Sequence, residues 1–194
     1  MLDRSTGDAT ERTDPWFQGG VSHIHIADKA SAVMQQCVDA VLAAGKGIVG
    51  DRYAERLGTY SARHHIDRQV TLIESEVLDA LQRDHHVALL PNEHRRNITT
   101  VGVPIGHLVG RYFRVGECVL YGGRLNVPCK YLETLLGKPV FRPLVHRSGL
   151  NARIVVGGTV RPGDPIELVD SATLDPELVA RNEQTPVEPA PEVD

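Results

Sequence analysis

The sequence predicts a mainly β fold with some α, a strongly bent, barrel-like sheet with a few peripheral helices, and three observations carry that expectation. Apolar runs are short and suit strands better than long helices. Glycine and proline turn signals such as Gly157-Gly158 and Pro162-Gly163-Asp164 separate them at high density. Strands and helices also fail to alternate in the regular way that a parallel, doubly wound sheet requires.

In chain order, residues 21–27 alternate and read as a strand. A helix is expected over Ser31–Ala44, because Val33, Met34, Cys37, Val38, Val41 and Leu42 form an i, i+3, i+4 stripe that Gly45 closes. The turn from Gly45 to Arg52 follows. Arg68 to Ile73 reads as a strand feeding a second helix that carries Val77, Leu78 and Leu81. Further strands are expected at 96–100, 112–121, 152–156 and 165–169. Residues 1–20 form a polar arm expected to dock through Trp16 and Phe17, residues 21–169 the folded domain, and residues 170–194 an acidic, proline-rich tail expected to be poorly ordered.

With 194 residues, 41% of them hydrophobic, the chain can bury one good core. Its formal charge of -4 argues against a nucleic-acid surface covering the protein, and no apolar run is long enough to span a bilayer. Three cysteines without CxxC spacing and no signal-peptide pattern argue against a disulfide framework and point to a reducing cytoplasm. Only Lys29, Lys46, Lys130 and Lys138 are lysines among the 21 basic residues. The arginine fork suits phosphate and carboxylate, so a local anion pocket is one reading of this bias, and codon usage is the other.

The candidate reactive residue is Cys129, in Gly122-Gly123-Arg124-Leu125-Asn126-Val127-Pro128-Cys129-Lys130. Pro128 at the first helical position would place the thiol among the unpaired N–H groups of a helix start. A free thiol titrates near about 8.5, so a thiolate at neutral pH needs about 2 kcal/mol of help. A helix start supplies about 0.3–1 kcal/mol, so a cation is also required, and Lys130 and Arg124 are nearest in sequence. On spacing alone, Cys129 is equally well a small apolar residue in a helix cap. Cys37 and Cys118 read as buried structural residues.

Other polar clusters are weaker. Gly50-Asp51-Arg52 lies on a glycine-rich turn, and Glu93-His94-Arg95-Arg96-Asn97 enters a strand, with Arg96 or Asn97 as its pocket-facing member. His23 and His25 share one strand face and suit a metal, but no third ligand accompanies them in the pattern.

The ordered pieces GIVGDRY (47–53), RQVTLIESE (68–76), RRNI (95–98), IGHLVG (105–110), FRVG (113–116), Pro128-Cys129 and GGTVRPGD (157–164) resemble the MOSC domain, named for the C-terminal part of molybdenum cofactor sulfurases. The likeness spans about Val21 to Val169, as in a stand-alone protein of that kind. It implies a bent β-barrel with a molybdopterin-type molybdenum cofactor, in which Cys129 is a sulfur carrier or the molybdenum ligand. On the same resemblance, Arg52, Arg68 and Asn97 line the pocket; the residue pattern itself adds Arg96, at the strand entry, and Lys130, beside the thiol, as further cofactor-binding candidates.

The pyridoxal phosphate domain of the long sulfurases is not expected in this chain. A cysteine desulfurase-type donor or a separate electron-transfer reductase is therefore the expected partner, with no nucleic acid and no membrane, and a homodimer is allowed. The chemistry implied for an open site is reduction of N-hydroxylated compounds. Two alternatives stay open: a non-catalytic module that holds an anionic cofactor through Arg52, Arg68 and Arg96, and a small metalloenzyme built on His23 and His25.

Overall fold

The computed structural model describes residues 17–63 and 65–184. Eleven strands and three α-helices follow in the order β1 (Gly20–Ile26), β2 (Gln35–Gln36), β3 (Ala40–Ala43), β4 (Gly47–Ile48), β5 (Val70–Glu74), α1 (Ser75–His85), β6 (Ile98–Val101), β7 (Tyr112–Val115), β8 (Cys118–Leu125), α2 (Lys130–Leu136), β9 (Leu150–Val156), β10 (Gly158–Val160), β11 (Ile166–Val169) and α3 (Pro176–Glu183). The protein is thus mainly β with a few helices.

Eight strands form one sheet in the order β11-β7-β8-β9-β5-β6-β1-β2, and β10-β3-β4 form a second. Two register shifts in the β8–β9 ladder, between Val119 and Leu120 and between Gly122 and Arg124, bend the large sheet. Its far strands approach each other, with Val21 N donating to Asp164 O at 2.9 Å and Ile166 N to Gly19 O at 3.0 Å. These bonds accompany an isolated bridge between Gly20 and Pro165, and no sheet is closed into the barrel that the sequence led us to expect.

The pleat of β5 divides the interior in two. Val70 and Leu72 face the main core with Ile24, Ile98, Phe113, Leu120 and Leu150, while Ile73 faces a second cluster. That cluster is closed by Val77, Leu78 and Leu81 of α1 and by Leu132 of α2. β5 and β6 are parallel neighbours, so a crossover must join them, and α1 provides it.

Several sequence expectations need correction. Residues 31–44 form no helix. Val33 is 78% and Val38 is 87% exposed, while Ala40 and Leu42 are buried on either side of an exposed Val41. That is the period of a strand, and the helical stripe was a coincidence of spacing. Gly45 (φ +73°) is the turn of the β3–β4 hairpin and caps no helix. The expected single strand over 112–121 is a hairpin turned at Gly116 (φ +55°). Cys37 is partly buried against the main core, and Cys118 is fully buried within it.

Residues 171–183 of the expected tail carry a short 3-10 turn and α3, whose Asn182 is buried. Phe17 of the expected arm packs against the main core. Trp16, His64 and residues 185–194 lie outside the described residues.

A buried ion pair fastens α3. Arg153 Nε of β9 bonds Asp67 Oδ1, with the two side chains 5% and 0% exposed. Arg153 Nη1 donates to Asn182 O at 2.8 Å, and Asn182 Nδ2 donates to Tyr112 Oη at 3.0 Å. Removing one member of a buried pair strands the other charge.

A second polar brace enters β6, where the fully buried His94 accepts from Arg96 N at 2.9 Å through Nδ1 and pairs with Thr99 Oγ1 at 3.0 Å through Nε2. Burial, then the Arg96 charge, holds the imidazole well below its usual 6.5. Burial and His23 lower His25 in the same direction.

Two measurements check these assignments. Asp67→Ala costs about 3–5 kcal/mol in urea unfolding, and Asp67→Leu/Arg153→Met recovers much of it. Equal stabilities for the single and double variants contradict a buried, coupled pair. The histidines are neutral in the folded state, whereas the unfolded chain takes up protons below about 6.5. Stability therefore falls as pH drops through that value, and the urea midpoint declines between about pH 7 and 5, less steeply in His94→Gln.

Candidate functional site

The site forms where the segment between β4 and β5 meets the chain entering β6 and the start of α2. Its anchor is Asp51, which is 2% exposed and follows Gly50 (φ +79°). Asp51 Oδ2 accepts from Arg52 Nη1 at 2.9 Å, Asn97 Nδ2 at 3.2 Å and Ala27 N at 3.3 Å, and Oδ1 accepts from Tyr53 N at 3.0 Å. One carboxylate thus ties the GDR turn to β1 and to the residue before β6.

Asn97 completes the tie. Its Oδ1 accepts from Thr71 Oγ1 at 2.8 Å and from Thr71 N at 3.2 Å, and its Nδ2 also donates to His25 O at 3.3 Å. At 2% exposure, with every polar group of its amide bonded, Asn97 is a brace between strands and presents nothing to a cleft.

Arg52 is 3% exposed. Besides Asp51 it donates to Met34 Sδ at 3.3 Å and to Arg95 O at 3.0 Å, and its guanidinium lies 4.9 Å from the Tyr53 ring centroid. Arg95 is half-buried at φ +66° and donates to Ala32 O. Burial and the neighbouring Arg52 push its guanidinium below the usual value.

Arg96 is fully engaged with main chain and hydroxyl: Nε donates to Ser148 O at 2.8 Å, Nη2 to Ser148 Oγ at 2.8 Å and Nη1 to His94 O at 3.3 Å. Burial lowers it to about 10, and the nearby Cys129, Tyr53 and Tyr60 oppose that shift.

Cys129 is the N-cap of α2, with φ −134° and ψ 148°, and it makes no side-chain capping bond. The expected placement of Pro128 at the first helical position is thereby corrected, since the helix begins at Lys130. A helix of seven residues capped in this way contributes little field at the thiol, and the cation beside Cys129 is Arg96. The side chain of Cys129 is partly buried at the margin of the second core cluster, in hydrogen-bonding contact with the Tyr60 hydroxyl. Burial, then the Cys129 contact, raises Tyr60 and keeps its proton on oxygen. Tyr60 meets Tyr131 edge-on at 6.4 Å, and Tyr131 Oη pairs with Ser31 Oγ at 2.8 Å.

Neither cation nearest to Cys129 in sequence faces it as expected. Lys130 Nζ bonds Glu133 Oε1 at 2.7 Å, lies 4.9 Å from the Phe141 ring and has a side chain 67% exposed. Arg124 neighbours Arg68 and Asp67, and its Nε is buried with no hydrogen-bond partner. Arg68 Nη1 donates to Tyr60 O at 3.0 Å and to Arg63 O at 3.1 Å, and its guanidinium lies over both Tyr60 and Tyr53.

The structure therefore gathers Cys129, Arg96, Arg52 and Arg68, adds Arg95, Tyr53, Tyr60 and Tyr131, and keeps Asn97 and Lys130 out of the group. Three adjacent signals could have pointed to the tyrosines: Tyr53 directly follows GDR, Tyr60 lies in the same loop, and Tyr131 follows Cys129-Lys130.

The donor set suits an anionic, sulfur-seeking group. Arg96 has five N–H hydrogens and spends three, and the buried Arg124 Nε spends none. A half-buried thiol is a soft donor. For the histidine alternative, His23 Nδ1 pairs with Ser22 Oγ at 2.6 Å, and its ring lies 6.1 Å from that of His25, whose Nδ1 is buried without a hydrogen-bond partner. Among the described residues, no three His, Cys, Asp or Glu side chains come together in a way that could hold a metal ion.

Comparison with known proteins agrees with the architecture. No curated protein matches the chain in sequence. Among solved structures, the YuaD protein of Bacillus subtilis is similar at 20% identity and TM-score 0.66, over 78% of this chain and 95% of that one. YiiM of Geobacillus stearothermophilus is similar at 15% identity and TM-score 0.61, over 80% and 77% of the two chains. YiiM of Escherichia coli is similar at 18% identity and TM-score 0.56, over 80% and 71%. At these identities the likeness concerns the fold. The sequence profile of the MOSC domain matches residues 23–167, most of the chain, and includes every residue of the cluster around Cys129. The protein belongs to the MOSC domain family, a family associated with the molybdenum cofactor.

Proposed function

We propose that the protein binds the molybdenum cofactor at the cluster around Cys129, with the Cys129 thiolate as the ligand of the metal. The observation that carries this reading is the setting of the thiol: half-buried, touching a protonated tyrosine hydroxyl, and facing an arginine whose own partners are carbonyls and a hydroxyl. Arg96 supplies positive charge to Cys129 without a carboxylate to cancel it. Tyr60 keeps its proton and donates its hydrogen bond to sulfur. Arg52 and Arg95 hold the wall behind them, and the remaining N–H groups of Arg96 and Arg124 are available to anionic oxygens.

Bound, the cofactor supplies two-electron removal of oxygen from N-hydroxylated substrates, with electrons from a separate reductase. The chain's residues bind it, hold the thiolate and limit water at the edge of the second core. A carrier role for Cys129, fed by a cysteine desulfurase, uses the same thiolate and differs in one observable, a transferable additional sulfur. A cytoplasmic setting suits a free thiol of this kind. No helix among the described residues is long and apolar enough to cross a membrane.

Elemental analysis of protein produced where the cofactor is made tests the assignment. Wild type carries molybdenum, and Cys129→Ala loses at least about tenfold of it, as expected when a metal–sulfur bond completes binding that phosphate contacts alone leave weak. Full molybdenum content in Cys129→Ala overturns the ligand role. A mass gain of one sulfur on Cys129 after exposure to a cysteine desulfurase marks the carrier instead. In cofactor-free protein, Tyr60→Phe slows iodoacetamide labelling of Cys129 at pH 7 by about tenfold, the worth of one hydrogen bond to a charged group. An unchanged rate removes Tyr60 from the thiol's support.

A further inference from the structure

Beside the thiol cluster, and sharing Tyr53, Tyr60 and Arg68 with it, opens a second cleft. It is bounded by the β3–β4 turn at Lys46, by Tyr53 and Arg56, by Tyr60 and Arg63, and by Arg68 on the approach to β5. Four basic side chains, one lysine and three arginines, line it and no carboxylate does, in a chain whose net charge is -4. Glu55 stands at the rim, 3.5 Å from Lys46 Nζ, with both side chains about half exposed. Among the ion pairs of the described residues, none takes Arg56, Arg63 or Arg68.

The cations are held in place. Gln69 Oε1 accepts from Gly45 N at 3.1 Å and from Ile154 N at 3.0 Å, and Nε2 donates to Ile66 O at 3.1 Å, pinning the β3–β4 turn and the loop to β9. Arg68 spends only Nη1, on the carbonyls of Tyr60 and Arg63, so its remaining N–H groups are open to a ligand. Its guanidinium lies 5.5 Å from the Tyr60 centroid and 5.9 Å from that of Tyr53, which sets both rings along the cleft. Arg124 adds a further positive charge behind Arg68.

Crowding like charges in one place is unfavourable unless an anion joins them. We infer that this cleft is a phosphate site, taking the phosphate or diphosphate group of a small molecule whose ring lies against Tyr53 and Tyr60. A phosphate offers several oxygens to converging arginine forks, which a single carboxylate cannot match. A nucleic-acid strand would call for cations spread along a track, and here they are confined to one recess of an acidic protein.

Because Tyr60 and Arg68 border both the cleft and the thiol cluster, one ligand can reach from one to the other. For the identity of that ligand the inference rests on the cofactor reading; for the existence of the site it does not. The phosphate belongs either to the cofactor or to a substrate, and the experiment separates the two.

Isothermal titration of the cofactor-free full chain with pyrophosphate tests the site. Wild type binds one equivalent, Lys46→Ala and Arg63→Ala each weaken binding by about tenfold or more, and Arg63→Glu abolishes it. Arg114→Ala, on the exposed face of β7, leaves binding unchanged and controls for loss of charge alone. Absence of binding, or equal weakening in Arg114→Ala, overturns the inference.

Molybdenum-loaded protein then identifies the source. If the phosphate is the cofactor's, loading blocks pyrophosphate and Arg63→Ala lowers the molybdenum content. If it is a substrate's, loaded protein binds pyrophosphate as the cofactor-free chain does. Cofactor-free Cys129→Ala binds pyrophosphate as the cofactor-free wild type does, so failure of the thiol reading is read from the metal and failure of the cleft from the calorimeter.

Discussion

The architecture of the site depends on one buried carboxylate. Asp51 accepts hydrogen bonds from the end of β1, from its own turn, from the Arg52 guanidinium and from the Asn97 amide. Arg52 is 3% exposed, and a guanidinium at that depth is tolerable only because this carboxylate and the Arg95 carbonyl receive it. Asn97 carries the tie onward to Thr71 of β5. The turn between β4 and β5, the entry to β6 and two neighbouring strands are therefore set against one another by a few bonds, and Tyr53 and Arg95 take their places from them.

Around that anchor, the protein solves a charge problem in a consistent way. Arg96 donates to Ser148 and His94, Arg68 to the carbonyls of Tyr60 and Arg63, Arg95 to that of Ala32. Carbonyl dipoles orient these guanidinium groups without cancelling their charge. A carboxylate partner would have fixed the geometry equally well and removed the potential that an anionic ligand needs. Only Arg52, the deepest of them, is given a carboxylate, and its role is accordingly architectural. The thiol at the head of α2 sits within this field while a seven-residue helix adds little of its own.

How much of this was legible from the residues differs from element to element. The helix carrying Val77, Leu78 and Leu81 was readable because its buried residues recur at helical spacing, and the strand before it because Val70 to Ile73 is a short run buried throughout. Residues 31–44 misled because valines placed at helical intervals turned out to be solvent-facing, and periodicity records where apolar residues stand and not whether anything covers them. The order of the GDR, RQ, RRN and Pro-Cys pieces pointed to the family now matched over residues 23–167. The same pieces were silent on roles, since Asn97 is a brace, Gln69 pins a turn, and Lys130 is spent on Glu133.

By itself the sequence determined the class of fold, the family and the presence of a thiol beside a proline, all of which are written in composition, local spacing and the succession of short pieces. Only the tertiary structure decided that Arg96 and not Lys130 faces Cys129, that Tyr60 touches the sulfur, and that Lys46, Arg56, Arg63 and Arg68 share one recess. The physical reason is range. Turn and strand preferences act over a few residues and are visible locally, whereas a guanidinium is aimed by carbonyls that the folded chain brings to it from distant positions, as Ser148 is brought to Arg96.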